Sequence, residues 1–280
     1  MFGLMLLMLV TALALLAGRR LASGWSRGAR MAGVLVSLLT ALAFFRWAYD
    51  TVAVVLLVPP SWLPFAAEWQ VPLVAFGAGI FMRETALPWW RRIVLGSLLL
   101  VVGFLPVLKV SFGKVPRSVD LWNGMVCRQT HPSTCSAAAA ATLLQYHGIA
   151  ALEGELIMAC FTRKDGTSLG GLLRGVELMA RPQGFRVRVA TVTLDDLRQK
   201  ELQPAILLVN LRPEVAAKEP RYENHWGWVI GQSHAVVLLG FNEAGHPIIG
   251  DPSVGKEVWS SKGLEELWTG AAVWLVEKEG

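Results

Sequence analysis

The sequence has 280 residues, 54% of them hydrophobic and 17% charged, with a formal net charge of +5. That length accommodates one or two domains. The basic residues fall mostly between apolar runs, with no basic stripe interleaved with aromatics, which excludes a nucleic-acid partner. The histidines (His131, His147, His225, His234 and His246) are scattered and no CxxC occurs, so neither a metal site nor any other cofactor is expected.

The apolar excess is uneven. Residues 1–110 hold nearly all the long apolar runs, and the remainder has the composition of an ordinary soluble domain. A membrane span needs about 20 mostly apolar residues, and four segments are predicted to meet or approach that length: Phe2–Ala17, Met31 to about Val58, Ala66–Met82 and Ile93–Leu108. The first segment has Arg19 and Arg20 after its apolar core rather than before it. That pattern favours a retained span over a cleaved signal peptide. In the second segment Arg46 and Asp50 stand at i,i+4 spacing on one helix face. A helix whose upper end leaves the membrane would put this pair near the headgroups.

Loop charges set the expected orientation. Arg19, Arg20, Arg27 and Arg30 occupy the first loop and Arg83, Arg91 and Arg92 the third, whereas 59–70 has no Lys or Arg. Loops one and three are therefore expected in the cytoplasm, with everything after Leu108 outside a bacterial cytoplasmic membrane. Trp62, Trp69, Trp89 and Trp90 fall at span ends, as an aromatic belt requires. The expected organisation is a helical transmembrane region at 1–110, a linker at 111–124 and an α+β domain at 125–280. No Walker A motif occurs, so no ATPase is expected.

In the second half, helices are predicted over 136–147, 153–160 and 168–180, with Gly148 as the residue closing the first. Strands are predicted over 185–192, 205–211, 234–241, 247–250 and 271–276. Helices followed by strands indicate an α+β domain. Cys135 opens the alanine-rich helix, where the positive helix end favours a thiolate. Gln129, six residues earlier, can donate its amide into an oxyanion hole. His234 opens an apolar strand, and Asp251 follows the next strand in a Gly-Asp-Pro turn, where a carboxylate can orient an imidazole. His131 is badly placed as a base, four residues from Cys135 across a proline. The segment 222–228 around His225, Trp226 and Trp228 reads as a hairpin, with a cleft-lining role for Trp226 or Trp228 as the alternative. Gly166 to Ser168 reads as a helix cap.

Three motifs carry a resemblance: QTHPSTCSAAAAATLLQYHG at 129–148, SHAVVLL at 233–239 and GDP at 250–252. Together they resemble the bacteriocin-processing cysteine peptidases, family thirty-nine of the cysteine peptidases. The resemblance implies a papain-like fold over about 125–280 and cleavage of leader peptides after a small, often double-glycine motif. It implies Cys135 as nucleophile, His234 as general base, Asp251 as the residue orienting it and Gln129 as oxyanion donor. Ser136 stands where that family usually has Gly, and its members carry the peptidase in the cytoplasm, fused to an exporter. Cys127 and Cys160 flank the site, and a disulfide between them would leave Cys135 free in an oxidising compartment. The expected function is a membrane-anchored cysteine peptidase acting on a peptide or protein, membrane-associated substrates included. The alternatives are a papain-fold amidase or acyltransferase, and an inactive peptide-binding module.

Overall fold

The structure, a computed structural model, describes residues 2–49, 52, 67–216 and 228–278. The expectations for Asp50, Trp62, His225 and Trp226 lie outside them. The chain forms two compact units, Met1–Gly113 and Lys114–Gly280.

The first unit contains α1 (Phe2–Leu21), α2 (Arg27–Tyr49), α3 (Val71–Phe81) and α4 (Trp89–Phe112). Three helical segments are long and apolar enough to cross a membrane: Leu4–Gly24, Arg27–Ala48 and Trp89–Phe112. Their leucines, valines and isoleucines stay largely exposed, as a lipid-facing surface would be. The third expected span is not of that kind. At 11 residues α3 rises only about 16 Å, roughly half a hydrocarbon core, so the described residues give three candidate spans rather than four. Its apolar side chains are buried within the unit instead: Val71, Val74 and Ile80 are packed away. Gly18 and Gly79 allow that packing, because a Cβ at Gly79 would strike the Leu15 carbonyl and one at Gly18 the Phe76 carbonyl. Small residues at such contacts let helix backbones approach in an apolar medium.

The second unit has β1 (Leu121–Asn123), β2 (Val126–Arg128), α5 (Cys135–Tyr146), α6 (Glu153–Ala159), α7 (Leu169–Ala180), β3 (Phe185–Thr191), β4 (Ala205–Asn210), β5 (Ser233–Phe241), β6 (Pro247–Asp251), β7 (Gly255–Val258) and β8 (Trp268–Glu277). One-turn helices and a short helix at Ser261–Leu267 complete it. The helix-then-strand order gives the expected α+β class. Six strands form one antiparallel sheet in the order β3-β8-β4-β5-β6-β7, and β1 and β2 form a separate hairpin.

The stretch expected as a linker is partly structured. Ser111 and Phe112 end α4, and Leu121–Asn123 pairs with β2. Within it Ser118 donates to the buried Glu153 carboxylate at 2.5 Å, and the Gly154 N–H donates to Asp120 at 3.1 Å. The alanines Ala137–Ala141 of α5 are all fully buried, and their small size lets α5 lie close to β5. The sheet core is aliphatic, with Leu207, Val209, Val236, Leu238 and Ile249 inaccessible to solvent.

Candidate active site

Three elements deliver the predicted residues. Cys135 is the first residue of α5, His234 the second of β5 and Asp251 the last of β6. The β5–β6 pairing runs Val237 to Gly250 and Leu238 to Ile249. One step further sets Asp251 opposite Val236, which shares a sheet face with His234 because side chains alternate. Diagonal neighbours on one face are within reach of long side chains. The 17-residue separation of His234 and Asp251 is thus the length of one hairpin that brings them together.

The contact is direct. His234 Nε2 lies 2.9 Å from Asp251 Oδ1, and both side chains are almost wholly buried. Nδ1 has no hydrogen-bond partner and is the ring nitrogen left free for the Cys135 thiol, which lies near enough for each group to perturb the other's ionisation. The Asp251 carboxylate is saturated. Oδ1 also accepts the Ser253 N–H at 2.8 Å and the Ser253 hydroxyl at 2.7 Å, and Oδ2 accepts the Trp228 indole N–H at 2.8 Å. The Trp228 ring sits 4.6 Å from the His234 ring at 47°, with Trp259 6.1 Å behind it. The described Trp228 is therefore neither a cleft-lining residue nor plain hairpin. It is buried against the imidazole and fixes the carboxylate.

Electrostatics follow from these partners. Burial would push the Cys135 thiol up. Hydrogen bonding and charge from His234, with hydrogen bonds from the Ala235 backbone and the Ser136 side chain, hold it below the ordinary thiol range instead. Burial would likewise lower His234, but the Asp251 carboxylate and the thiolate raise it to about 10. Burial works against the Asp251 anion too, and His234 and Ser253 outweigh it and keep the group ionised well into acid. All three directions favour a thiolate–imidazolium pair backed by a carboxylate.

Gln129 is buried, and its side-chain NH2 donates to the His131 carbonyl at 3.2 Å, leaving a second amide hydrogen for another acceptor. Its backbone N–H donates to the Pro252 carbonyl at 2.9 Å. The neighbouring Arg128 donates from Nε to the same carbonyl at 3.1 Å and from Nη2 to the Ser253 carbonyl. Gln129 is thus bolted to the turn after Asp251 rather than hydrogen-bonded to the triad side chains. On its other flank, Thr130 donates to Glu153 through its N–H at 3.0 Å and its hydroxyl at 2.6 Å.

Several expectations resolve differently. Cys127 and Cys160 are free, buried thiols rather than a disulfide. Cys127 lies on β2, where its N–H donates to Thr142 of α5 at 2.9 Å. Cys160 caps α6 and packs so tightly on α7 that Gly175 has no room for a Cβ. Burial pushes both thiols up to about 12, opposite in direction to Cys135. His131 is engaged within its own loop by the Ser133 hydroxyl at 2.8 Å. Ser168 does cap α7, accepting the Gly171 N–H at 3.1 Å.

A helix-end thiol, a buried imidazole and a saturated carboxylate thus come together at one place in the fold. Residues 124–213 match the family model described as Peptidase C39 family. The resemblance read from the sequence is therefore borne out for the stretch carrying Gln129 and Cys135. His234 and Asp251 lie beyond that stretch and join it through the fold. An uncharacterized protein of Methanothermobacter thermautotrophicus is 31% identical over 85 residues, 30% of this chain. The match covers 57% of that relative's length. Among solved structures, the chain is similar to the peptidase domain of Streptococcus ComA, a bifunctional ABC transporter involved in quorum sensing. There the identity is 23% and the TM-score 0.42, covering 54% of this chain and 96% of that one. It is also similar to a double glycine motif protease from an AMS/PCAT transporter, solved with its leader peptide (18% identity, TM-score 0.39, 60% and 96% covered).

Proposed function

We propose that this protein is a membrane-anchored cysteine peptidase that cleaves a peptide or protein precursor, with Cys135 as nucleophile. The observation that carries the reading is His234 held between the Asp251 carboxylate and the Cys135 thiol. The thiolate attacks the scissile carbonyl carbon. The oxyanion that forms is received by the Cys135 backbone N–H and the free amide hydrogen of Gln129. His234 passes its proton to the leaving amine, and the C–N bond breaks to leave a thioester on Cys135. The imidazole then takes a proton from water, whose hydroxide displaces the thiolate and releases the acid. Asp251, pinned by Ser253 and Trp228, holds the ring in one orientation throughout.

The three apolar helices support anchoring in a bilayer, and the arginine-rich segments 19–30 and 83–92, which meet at one end of the helical unit where α4 begins, support a catalytic domain following the far end of α4, outside the cytoplasm. Ser136, the departure from the family's glycine, works with His234 to hold the Cys135 thiol below its ordinary range, which supports an active site over an inactive binding module. The test is cleavage of a synthetic precursor panel, with double-glycine and single small-residue junctions, by the detergent-solubilised chain. The expected result is one new amine terminus per cleaved precursor with wild type and none with Cys135→Ala. Intact precursors across the panel, from a protein whose Cys135 alkylates rapidly at pH 6, would move the reading to other acyl chemistry.

A further inference from the structure

The helical unit gathers seven of its eight arginines at one end, Arg46 in the last turn of α2 being the exception. Arg19 and Arg20 close α1, Arg27 and Arg30 open α2, Arg83 follows α3, and Arg91 and Arg92 open α4. Contacts show that these ends meet. Arg30 Nη1 donates to the Arg83 carbonyl, Arg92 Nη1 donates to the Met82 carbonyl at 3.4 Å, and Arg27 Nε lies 3.8 Å from Glu84 Oε1. Glu84 is the one described carboxylate at this end. Glu68 precedes α3, and Asp50 falls outside the described residues. Glu84 is already engaged, because Oε1 also accepts the Ala86 N–H at 2.9 Å. The guanidinium groups of Arg19, Arg20 and Arg83 therefore have no carboxylate partner among the described residues.

Arg19, Arg20 and Arg83 line an open cavity of about 920 Å³ together with Leu13, Leu16 and Leu21. The arrangement has a direction. On α1, Leu16 and Leu13 lie about 4.5 and 9 Å further toward the helix middle than Arg19. A molecule entering the cavity meets positive charge at the helix ends and then apolar surface deeper in. The α1 C-terminus supplies only about half a negative charge, too little for three cations around one cavity. An arginine fork binds phosphate oxygens in two-point fashion, and basic pockets between membrane helices suit acidic headgroups. A free phosphate would satisfy the arginines and leave the leucines unused.

We propose that this cavity binds an anionic phospholipid, its phosphate between Arg19, Arg20 and Arg83 and an acyl chain along Leu16 and Leu13. The inference rests on the membrane-anchored reading. It adds a lipid site, distant in sequence from Cys135, through which the acidic lipid of one leaflet fixes the unit's depth and orientation.

The test is native mass spectrometry of the full chain in detergent, exchanged against phosphatidylglycerol or phosphatidylcholine. The expected result is at least ten-fold more phosphatidylglycerol adduct. That preference should be lost in the Arg19→Gln/Arg20→Gln/Arg83→Gln variant and kept in Arg117→Gln, which lies in the other unit. Size-exclusion chromatography confirms that each variant is monodisperse. Equal retention of both lipids, undiminished phosphatidylglycerol binding by the triple variant, or full displacement by millimolar inorganic phosphate overturns the proposal. An alkaline carbonate wash of membranes separates the two readings. A chain released by the wash refutes membrane embedding itself, whereas a retained chain without lipid preference refutes only the lipid site.

Discussion

Replacing Asp251 with Asn probes the site at its most constrained point. Four donors converge on the carboxylate: the His234 ring N–H, the Ser253 N–H and hydroxyl, and the Trp228 indole N–H. An amide has one acceptor oxygen and one NH2, so placing the oxygen at Oδ1 turns the NH2 against the Trp228 donor. The opposite rotamer turns it against three donors. The substitution also removes the charge 2.9 Å from the imidazole. Breaking a buried pair by deleting one partner costs about 3–5 kcal/mol. At about 1.4 kcal/mol per decade, the lower figure moves the thiolate–imidazolium equilibrium by roughly two orders of magnitude. The assay is the second-order rate of iodoacetamide alkylation at Cys135 across pH. In Asp251→Asn the midpoint should rise toward the ordinary thiol range of about 8.5. The rate at pH 6 should fall about 100-fold, and the alkaline limiting rate should change little. A folded variant with the wild-type midpoint and rate at pH 6 would refute the claim that Asp251 sustains the pair.

Further outcomes follow from the same contacts. Gln129→Ala should lower kcat on any cleaved precursor by about 10²–10³, the usual cost of one oxyanion donor. It should leave the alkylation midpoint unmoved, because Gln129 does not bond the triad side chains; a midpoint that shifts with kcat contradicts this. Trp228→Phe keeps a ring beside His234 but leaves Asp251 Oδ2 one donor short, at a cost of about 1–3 kcal/mol. Alkylation at pH 6 should slow by about ten-fold, and more in Trp228→Leu, which loses the ring too; equal rates in all three proteins would show that the indole is only packing. Gly79→Val should lower the melting temperature of the solubilised chain, since any Cβ there strikes the Leu15 carbonyl, whereas Gly28→Val meets open space and should not. Equal melting temperatures for these two variants would contradict the close approach of α3 to α1.

Much of the second unit was legible because its signals are local and periodic. The apolar runs at 205–211 and 234–241 mark central strands, and the alanine run after Cys135 marks a helix that must sit close to them. Asp251 and Ser253 were half legible. An Asp whose side chain accepts the N–H two residues on is a known turn device, yet nothing in Gly-Asp-Pro says that the same oxygen also meets an imidazole. Trp228 was not legible as an anchor, because its role depends on which face of the sheet the 17-residue hairpin presents. β1 and β7 are three and four residues long, too short for alternation to register. The span expected over 66–82 is not among the three candidates of the described residues, because hydropathy measures burial and not what does the burying: neighbouring helices cover α3. The expected Cys127–Cys160 bridge rested on flanking positions alone, and the fold gives each thiol separate neighbours.

The most direct test of Cys135 as the nucleophile is peptide mapping of the wild-type chain after brief iodoacetamide treatment at pH 6. The lowered Cys135 thiol and raised His234 imidazole predict a reactive pair that extends below the ordinary thiol range and is lost as His234 deprotonates near pH 10. Cys135 should therefore carry nearly all the label, with Cys127 and Cys160, both held at about 12, unlabelled. Labelling of Cys135 that begins only near pH 8 to 9 would contradict the account.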